Sequence, residues 1–469
     1  QTYFDLLEET GKWVKANPKD AAEILRGLYD RAAQNWLSLS DTQFFKDLTA
    51  SGLVVETKMS DKSLEDWALV LEHARVDTIS YPYEWSFGML KSAALFHLHV
   101  FNRALQNGWA LKDASAFNIQ WVGTRPIFVD IGSFEPYEEG APWAAYRQFC
   151  MMFLYPLMIN AYIGMDFRPL LRSSLDGISP SLASRILGLR CMFKPGVLTH
   201  VHLHAKFERR AELLDAKEAK DLSEDSGQTV SYTKAPHQSK HRLLATIDAM
   251  SRLIRKLELP AHRTAWGDYD KEHSYSDRSF EEKQDFVSKH CAKTRPKIVW
   301  DVGSNTGTFS RLAASEANRV LAIDGDGLAI DRLYRSLKAE RNTTIIPLVM
   351  DLTNPSPNQG WLGQERTSLT RRSKPDLVLC LALVHHLVLT ANMPLDSVVS
   401  WLRSLGSSVI FEFVDLGDPM AQMLIRRKGG KHHPLSYEDF SSAIAGRFEV
   451  TDARKLKRGM RTIYYLKPI

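Results

Sequence analysis

Between Lys297 and Ala317 the chain runs from an apolar strand, Lys297-Ile298-Val299-Trp300-Asp301-Val302, through a turn carrying Gly303 and Gly307 into a helix, Thr308 to Ala317. No other segment restricts the fold as much. A short apolar run that ends in an acid and a glycine turn and then becomes helical is the opening of a β-α unit. More such units follow: Val320 to Ile323, a helix Gly327 to Lys338, Thr344 to Met350, Asp376 to Leu383 and Ser408 to Phe413. Alternation of this kind predicts an α/β doubly wound sheet with helices on both faces. Two last strands, Phe448 to Ala453 and Arg461 to Leu466, are separated by a short basic turn. A closing hairpin without a crossover helix predicts an antiparallel strand at the sheet edge.

In an open α/β sheet the ligand lies at the carboxyl ends of the strands. The first such end is Asp301-x-Gly303-Ser304-Asn305-x-Gly307. Its glycines let the backbone turn tightly and approach a ligand, and the following helix aims free N–H groups at it. The spacing departs from the dinucleotide G-x-G-x-x-G and lacks the Lys-Ser/Thr of a P-loop. Asp324 and Gly325 fall at the end of the second strand, where a carboxylate can accept both hydroxyls of a ribose. Asp351-Leu352 ends the third strand, placed to receive an adenine amino group, and Leu381 to Leu387 (LALVHHL) borders the same crevice. On these residues alone another nucleotide, or no ligand, stays open.

Asp301–Gly307, Asp324, Asp351 and the His-His-Leu turn resemble the successive motifs of class I S-adenosylmethionine-dependent methyltransferases. The resemblance covers residues 296–469. It implies a Rossmann-like seven-stranded sheet with its last strand antiparallel. It places the methionine portion on Gly303 to Gly307, the ribose on Asp324 and the adenine on Asp351. Aromatics ahead of the first strand often fold over the cofactor in this family, which singles out Tyr275, with packing as the other reading. Methyl transfer to an alcohol needs alignment and a proton acceptor. His385, His386 and Glu412 stand where a base could sit, histidine being the side chain best poised near neutral pH. A role in shaping the pocket is the alternative for both histidines.

The N-terminal half carries a second constellation, Asp113-x-x-x-x-Asn118 followed by an apolar strand delivering Asp130-Ile131-Gly132. It resembles the catalytic and metal-binding loops of protein kinases and aminoglycoside-phosphotransferase-like kinases. The resemblance implies Asp113 at the acceptor hydroxyl, Asn118 and Asp130 on magnesium, and ATP as the nucleotide. Helical Phe87 to Asn107 and Phe149 to Met165 suit the large lobe of that fold, with Tyr81 to Trp85 as hinge. Several features depart from it. Lys112 stands where an Arg is usual, no glycine-rich loop precedes Tyr81, and Lys58 is a poor match for the phosphate-binding lysine. The first 50 residues read as helices. The expectation is an α+β module like the large lobe of a degenerate kinase, with plain turn-capping by Asp113 and Asn118 as the alternative. Ser80 to Trp85, Leu111–Asn118, Val129–Phe134 and Tyr146 to Phe149 also resemble bacterial two-part methyltransferases related to rhizobial nodulation proteins. That likeness spans nearly the whole chain and implies a small hydroxylated molecule, a glycan or a lipo-oligosaccharide as acceptor.

At 469 residues the chain divides into a module over 1–205, a linker and bridging helix over 206–258, and a domain over 259–469. The polar stretch Glu208 to Lys240 reads as the linker. The bridge carries Leu243, Leu244, Ile247, Met250, Leu253, Ile254 and Leu257 at helical spacing. Four scattered cysteines without a C-x-x-C pair argue against a disulfide framework and for a reducing cytoplasm. Phe149 to Met165 is shorter than a membrane span and holds Pro156 and Asn160, so it reads as a buried core helix. A net charge of +5 does not point to nucleic acid. The chain begins at Gln1, which leaves a removed leader open, and the oligomeric state is not legible.

Overall fold

Val299, Val320, Ala322, Leu377, Leu379 and Ile410 point to one face of the C-terminal sheet, and Trp300, Val302, Leu321, Ile323, Val378 and Phe411 to the other. Side chains alternate along a strand, so strands apolar at every position must be covered on both sides. The computed structural model describes residues 13–14, 24–62, 66–224, 238–260, 277–430, 434–456 and 460–469.

The N-terminal part opens with β1 (Trp13–Val14), β2 (Ile24–Leu28), α1 (Asp30–Ser40), α2 (Gln43–Ala50), β3 (Thr57–Met59) and β4 (Leu69–His73). These strands form an antiparallel sheet in the order β1-β2-β4-β3. The expectation of helices throughout the first 50 residues is therefore corrected. Ile24, Leu25 and Leu28 mimic a helical repeat, but Gly27 lies under the Trp67 ring, where a Cβ would come within 2.2 Å of it. That packing requires extended backbone with no side chain.

Next come α3 (Phe87–Gln106), β5 (Trp109–Leu111), β6 (Ile119–Val122), β7 (Arg125–Phe128) and β8 (Phe134–Pro136). Helix α4 (Tyr155–Ile163) continues from a π-helical stretch, Cys150–Leu154, and is buried as expected only as far as Ile159, Ile163 being exposed, with α5 (Arg168–Ser173) and α6 (Pro180–Leu187) after it. Helix α7 (His204–Glu224) corrects the linker: the first half of the polar stretch is helical, because Ala, Leu, Glu and Lys are strong helix formers despite their charge. Helix α8 (Lys240–Lys256) buries Leu243, Ile247, Met250 and Ile254 in the N-terminal core.

The C-terminal part contains α9 (Asp277–Thr294), β9 (Ile298–Val302), α10 (Thr308–Ala314), β10 (Arg319–Asp324), α11 (Gly327–Ala339), β11 (Ile345–Val349), β12 (Leu377–Cys380), α12 (Leu395–Ser404), β13 (Ser408–Val414), β14 (Phe448–Lys455) and β15 (Arg461–Pro468), with further helices at Leu369–Arg372, Pro419–Arg427 and Tyr437–Ile444. The seven-stranded sheet has the order β11-β10-β9-β12-β13-β15-β14. Strand β15 is antiparallel to both its neighbours. The antiparallel strand thus lies inside the sheet and β14 forms the edge, which corrects the expected position. Among the described residues no helix is long and apolar enough to cross a membrane.

The two halves interlock. Tyr334 of α11 is buried in the N-terminal core, its ring 5.7 Å from that of Trp121. Asp331 of the same helix accepts from Ser86 Oγ (2.9 Å) and Gly88 N (2.5 Å), so its carboxylate caps the start of α3. Arg372 pairs with buried Glu84, donates to the Ile79 carbonyl and lies over the Tyr81 ring.

Candidate functional site

The loop after β9 is held in one shape by its own backbone. Gly303 (φ +80°) and Gly307 (φ +83°) occupy the left-handed region, as does Asn305 at φ +50°. Gly303 N and Ser304 N donate to the Ile323 carbonyl at 2.8 and 3.1 Å, tying the turn to the end of β10. Asp324 bridges two turns, accepting from Asn305 N and Asp326 N at 2.8 Å each. Burial raises the Asp324 carboxyl above its ordinary range, and these backbone bonds oppose the rise.

A cavity of about 660 Å³ opens over this loop. Asp301, Gly303, Ser304, Asn305, Asp324, Gly325, Asp351, Leu352 and Leu381 all line it, so these expected residues converge from the ends of β9 to β12. Gly307 acts one layer back as the residue before α10. Tyr275 lies outside the described residues. Ser304 Oγ, Asn305 Oδ1 and Asp326 Oδ2 are buried without a hydrogen-bond partner among the described residues, and all three residues face the cavity. Orphaned buried acceptors and a hydroxyl are costly unless a ligand satisfies them. The lining fits a nucleoside with an amino-acid tail: carboxylates for hydroxyls, and the Ser304 hydroxyl and Asn305 amide for the tail. Asp351 sits at the rim, its Oδ1 accepting from Thr353 N and Oγ1 at 2.8 and 2.7 Å.

The three candidate bases separate. His386 lines the cavity; burial, followed by the nearby Arg461 cation, lowers its imidazole to about 4. His385 does not line the cavity and is buried, with both ring nitrogens unpartnered among the described residues, and burial holds it far below its ordinary value. Glu412 is fully buried and committed elsewhere. It accepts from Lys283 Nζ at 2.6 Å, from Ala382 N at 2.9 Å and from Arg461 Nη1 at 3.4 Å, while Arg461 also grips Asp418. A carboxylate occupied by two cations is poorly placed to take a proton, which counts against the expectation for Glu412, and His385 does not line the cavity. Sequence reasoning missed Lys283, Phe280 and Phe309, which close the cavity from α9 and α10. Lys283 Nζ lies 4.6 Å from the Phe309 ring centroid. Asp301, its carboxyl pushed up to about 6 by burial, accepts from Ser310 Oγ at 2.5 Å.

In the N-terminal part Asp113, Asn118 and Asp130 come together. Asn118 Nδ2 donates to Asp113 Oδ2 (3.0 Å) and to Asp130 Oδ2 (3.3 Å). Burial, then the neighbouring Asp130, raises the Asp113 carboxyl, and its Oδ1 caps the turn at Ser115 N (2.8 Å). The cation beside them is one the sequence reading missed. Arg26 of β2, buried, reaches Asp130 Oδ1 at 2.6 Å. Its only sequence signal is a lone Arg in an apolar run. Lys58 is exposed and pairs with Glu72 instead. Of the two residues expected to hold a metal, Asn118 donates to both carboxylates and Asp130 is paired with Arg26.

No family model matches the chain. Over 449 residues it is 30% identical to the nodulation protein NoeA of Rhizobium meliloti (strain 1021), spanning 94% of this chain and 91% of that protein. Among solved structures it is similar to the N-methyltransferase NodS from Bradyrhizobium japonicum WM9 in complex with S-adenosyl-L-homocysteine. That match has a TM-score of 0.31 and 13% identity, over 44% of this chain and 98% of that one. A second is the magnesium protoporphyrin IX methyltransferase from Synechocystis PCC 6803 with bound S-adenosylmethionine, at TM-score 0.30 and 14% identity over 44% and 86%.

Proposed function

The chain belongs to the family of the nodulation protein NoeA, and from that premise we propose that it is an S-adenosylmethionine-dependent methyltransferase that methylates a hydroxyl of a small molecule or glycan, presented by the N-terminal module. The observation that carries this reading is His386, the one candidate base that lines the cavity, as a neutral imidazole. When bound, S-adenosylmethionine supplies an electrophilic methyl group. The chain's own residues do the rest: Gly303 to Asn305 and Asp324 hold and orient, Phe280, Phe309 and Leu383 exclude water, and His386 accepts the hydroxyl proton. The test is label transfer from radioactive S-adenosylmethionine into fractionated oligosaccharides and other hydroxylated extracts. Label appearing only in amines or protein would refute the acceptor class.

His386→Ala is expected to lower turnover by ~100-fold or more while S-adenosylhomocysteine binding, read by calorimetry, changes little. Unchanged turnover would sink the role. The pH profile follows from the sign of the shift. A lowered folded value keeps His386 neutral at pH 7, so its acid limb falls as pH drops toward about 4, not through the ordinary histidine range. The same group's stabilising contribution is present above pH 6.5 and is lost as pH falls through the folded value.

The second reading, a bifunctional enzyme that also phosphorylates its acceptor, draws on the meeting of Asp113, Asn118 and Asp130. The kinase-like module as it stands does not fit a magnesium nucleotide, because Arg26 occupies Asp130. We therefore read it as a scaffold that positions the acceptor, with no ATP hydrolysis expected from the intact chain. Phosphotransfer that vanished in Asp130→Ala would reverse that preference. A cytoplasmic setting belongs to the same reading, all four cysteines being free and buried.

A further inference from the structure

Among the described residues, several large exposed apolar side chains lie far along the chain from the cofactor crevice, on one helical hairpin. Helix α6 leads through a short 3₁₀ turn (Leu189–Cys191) and a π-helical stretch (Leu198–Leu203) into α7. His202 ties the two arms, its ring nitrogens meeting Ser184 Oγ at 2.9 Å and the Gly188 carbonyl at 3.2 Å. At the turn Phe193 is 91% exposed and Leu189 77%, and Phe207 on α7 is 64% exposed. Leu203, Phe207, Arg210 and Leu214 recur at helical spacing, and the three apolar members of that stripe are exposed. Lone exposed apolar residues need no explanation, but a contiguous run of large ones marks an interaction site.

The charge around them narrows what can cover it. From Gly177 to Phe207 the chain holds Arg185, Arg190, Lys194 and Lys206 and not one Asp or Glu. These four cations are exposed, as are Arg209 and Arg210 just beyond, and the stripe up to Leu214 adds one exposed acid, Glu212. Glu208 between them is already paired with Arg147 at 2.5 Å. A second copy docked on this face by two-fold symmetry would set cation against cation. The protruding Phe193 and Leu189 call for a yielding apolar medium, the cations for dense negative charge, and an anionic bilayer surface offers both at once.

We propose that the α6–α7 hairpin docks the enzyme on an anionic lipid surface, with Leu189 and Phe193 entering the interface and Arg185, Arg190, Lys194 and Lys206 against the headgroups. The test uses the full chain, sedimented with vesicles of phosphatidylcholine alone and of phosphatidylcholine mixed with phosphatidylglycerol. Recovery is expected to be at least ~10-fold greater on the anionic vesicles and to fall at high salt. Phe193→Asp and Leu189→Asp should each reduce it several-fold while calorimetric binding of S-adenosylhomocysteine stays as in the wild type, showing that the fold is kept. Equal recovery on both vesicles, recovery on neither, or retention by Phe193→Asp would overturn the proposal. So would light scattering that found a dimer dissolved by Phe193→Asp, which would assign the face to a second copy.

Discussion

Gly303→Arg is expected to weaken binding of S-adenosylhomocysteine by more than ~100-fold, about 2.7 kcal/mol. Two independent effects act. A side chain at φ +80° costs an L-residue about 1–2 kcal/mol. The arginine must also leave the backbone at a point where even a Cβ comes within 3.3 Å of Leu383, on the wall of the cavity itself. The arm then occupies the space where the cofactor's tail is expected. The strain alone should lower the melting temperature by a few degrees, which calorimetry on the same sample separates from a loss of fold. Affinity within threefold of the wild type would place the cofactor somewhere other than this loop.

The second large effect is on stability. Glu412→Ala leaves Lys283 buried beside Arg461 with the shared carboxylate gone. Removing one partner from a buried ion pair costs about 3–5 kcal/mol, a drop of roughly 10 °C for a domain of this size. Arg461 keeps Asp418, so the uncompensated charge falls mainly on Lys283. The pair of variants Glu412→Gln with Lys283→Met should recover part of the loss, since both members of the pair are then neutral. The same measurement decides between two jobs for Glu412. A proton acceptor would lose turnover with an unchanged melting curve, whereas a structural anion loses the melting temperature first.

The C-terminal sheet was legible because strands buried on both faces read as unbroken apolar runs, and an acid or glycine at the end of each marks the crevice. Asp301, Asp324 and Asp351 were found for that reason. The adjacent histidines were not separable in the same way: only the backbone direction after β12 decides that His386 meets the cavity and His385 does not. Lys283 was invisible because Glu281, Glu282 and Gln284 around it give the signature of a solvated helix face, although Lys283 itself is buried. Arg26 was hidden by a short strand whose apolar residues mimic a helix. The order of the last two strands also escaped, since a hairpin is equally local whichever of its arms pairs with β13. Contacts across hundreds of residues, such as Tyr334 in the N-terminal core, leave no local trace at all.

The segment from Asp351 to Arg372 begins at the cofactor cavity and ends on the N-terminal module. Arg172 of α5 holds the Asn354 and Pro355 carbonyls at 3.0 and 2.8 Å, Arg366 lies 4.4 Å from the ring centroid of Phe117, and Arg372 covers Tyr81. Phe117 belongs to the same loop as Asp113 and Asn118. An acceptor that shifts Phe117 or Tyr81 therefore changes the free energy of the segment bearing Asp351. Thermodynamic reciprocity then applies: whatever factor the acceptor imposes on cofactor affinity, the cofactor must impose on acceptor affinity.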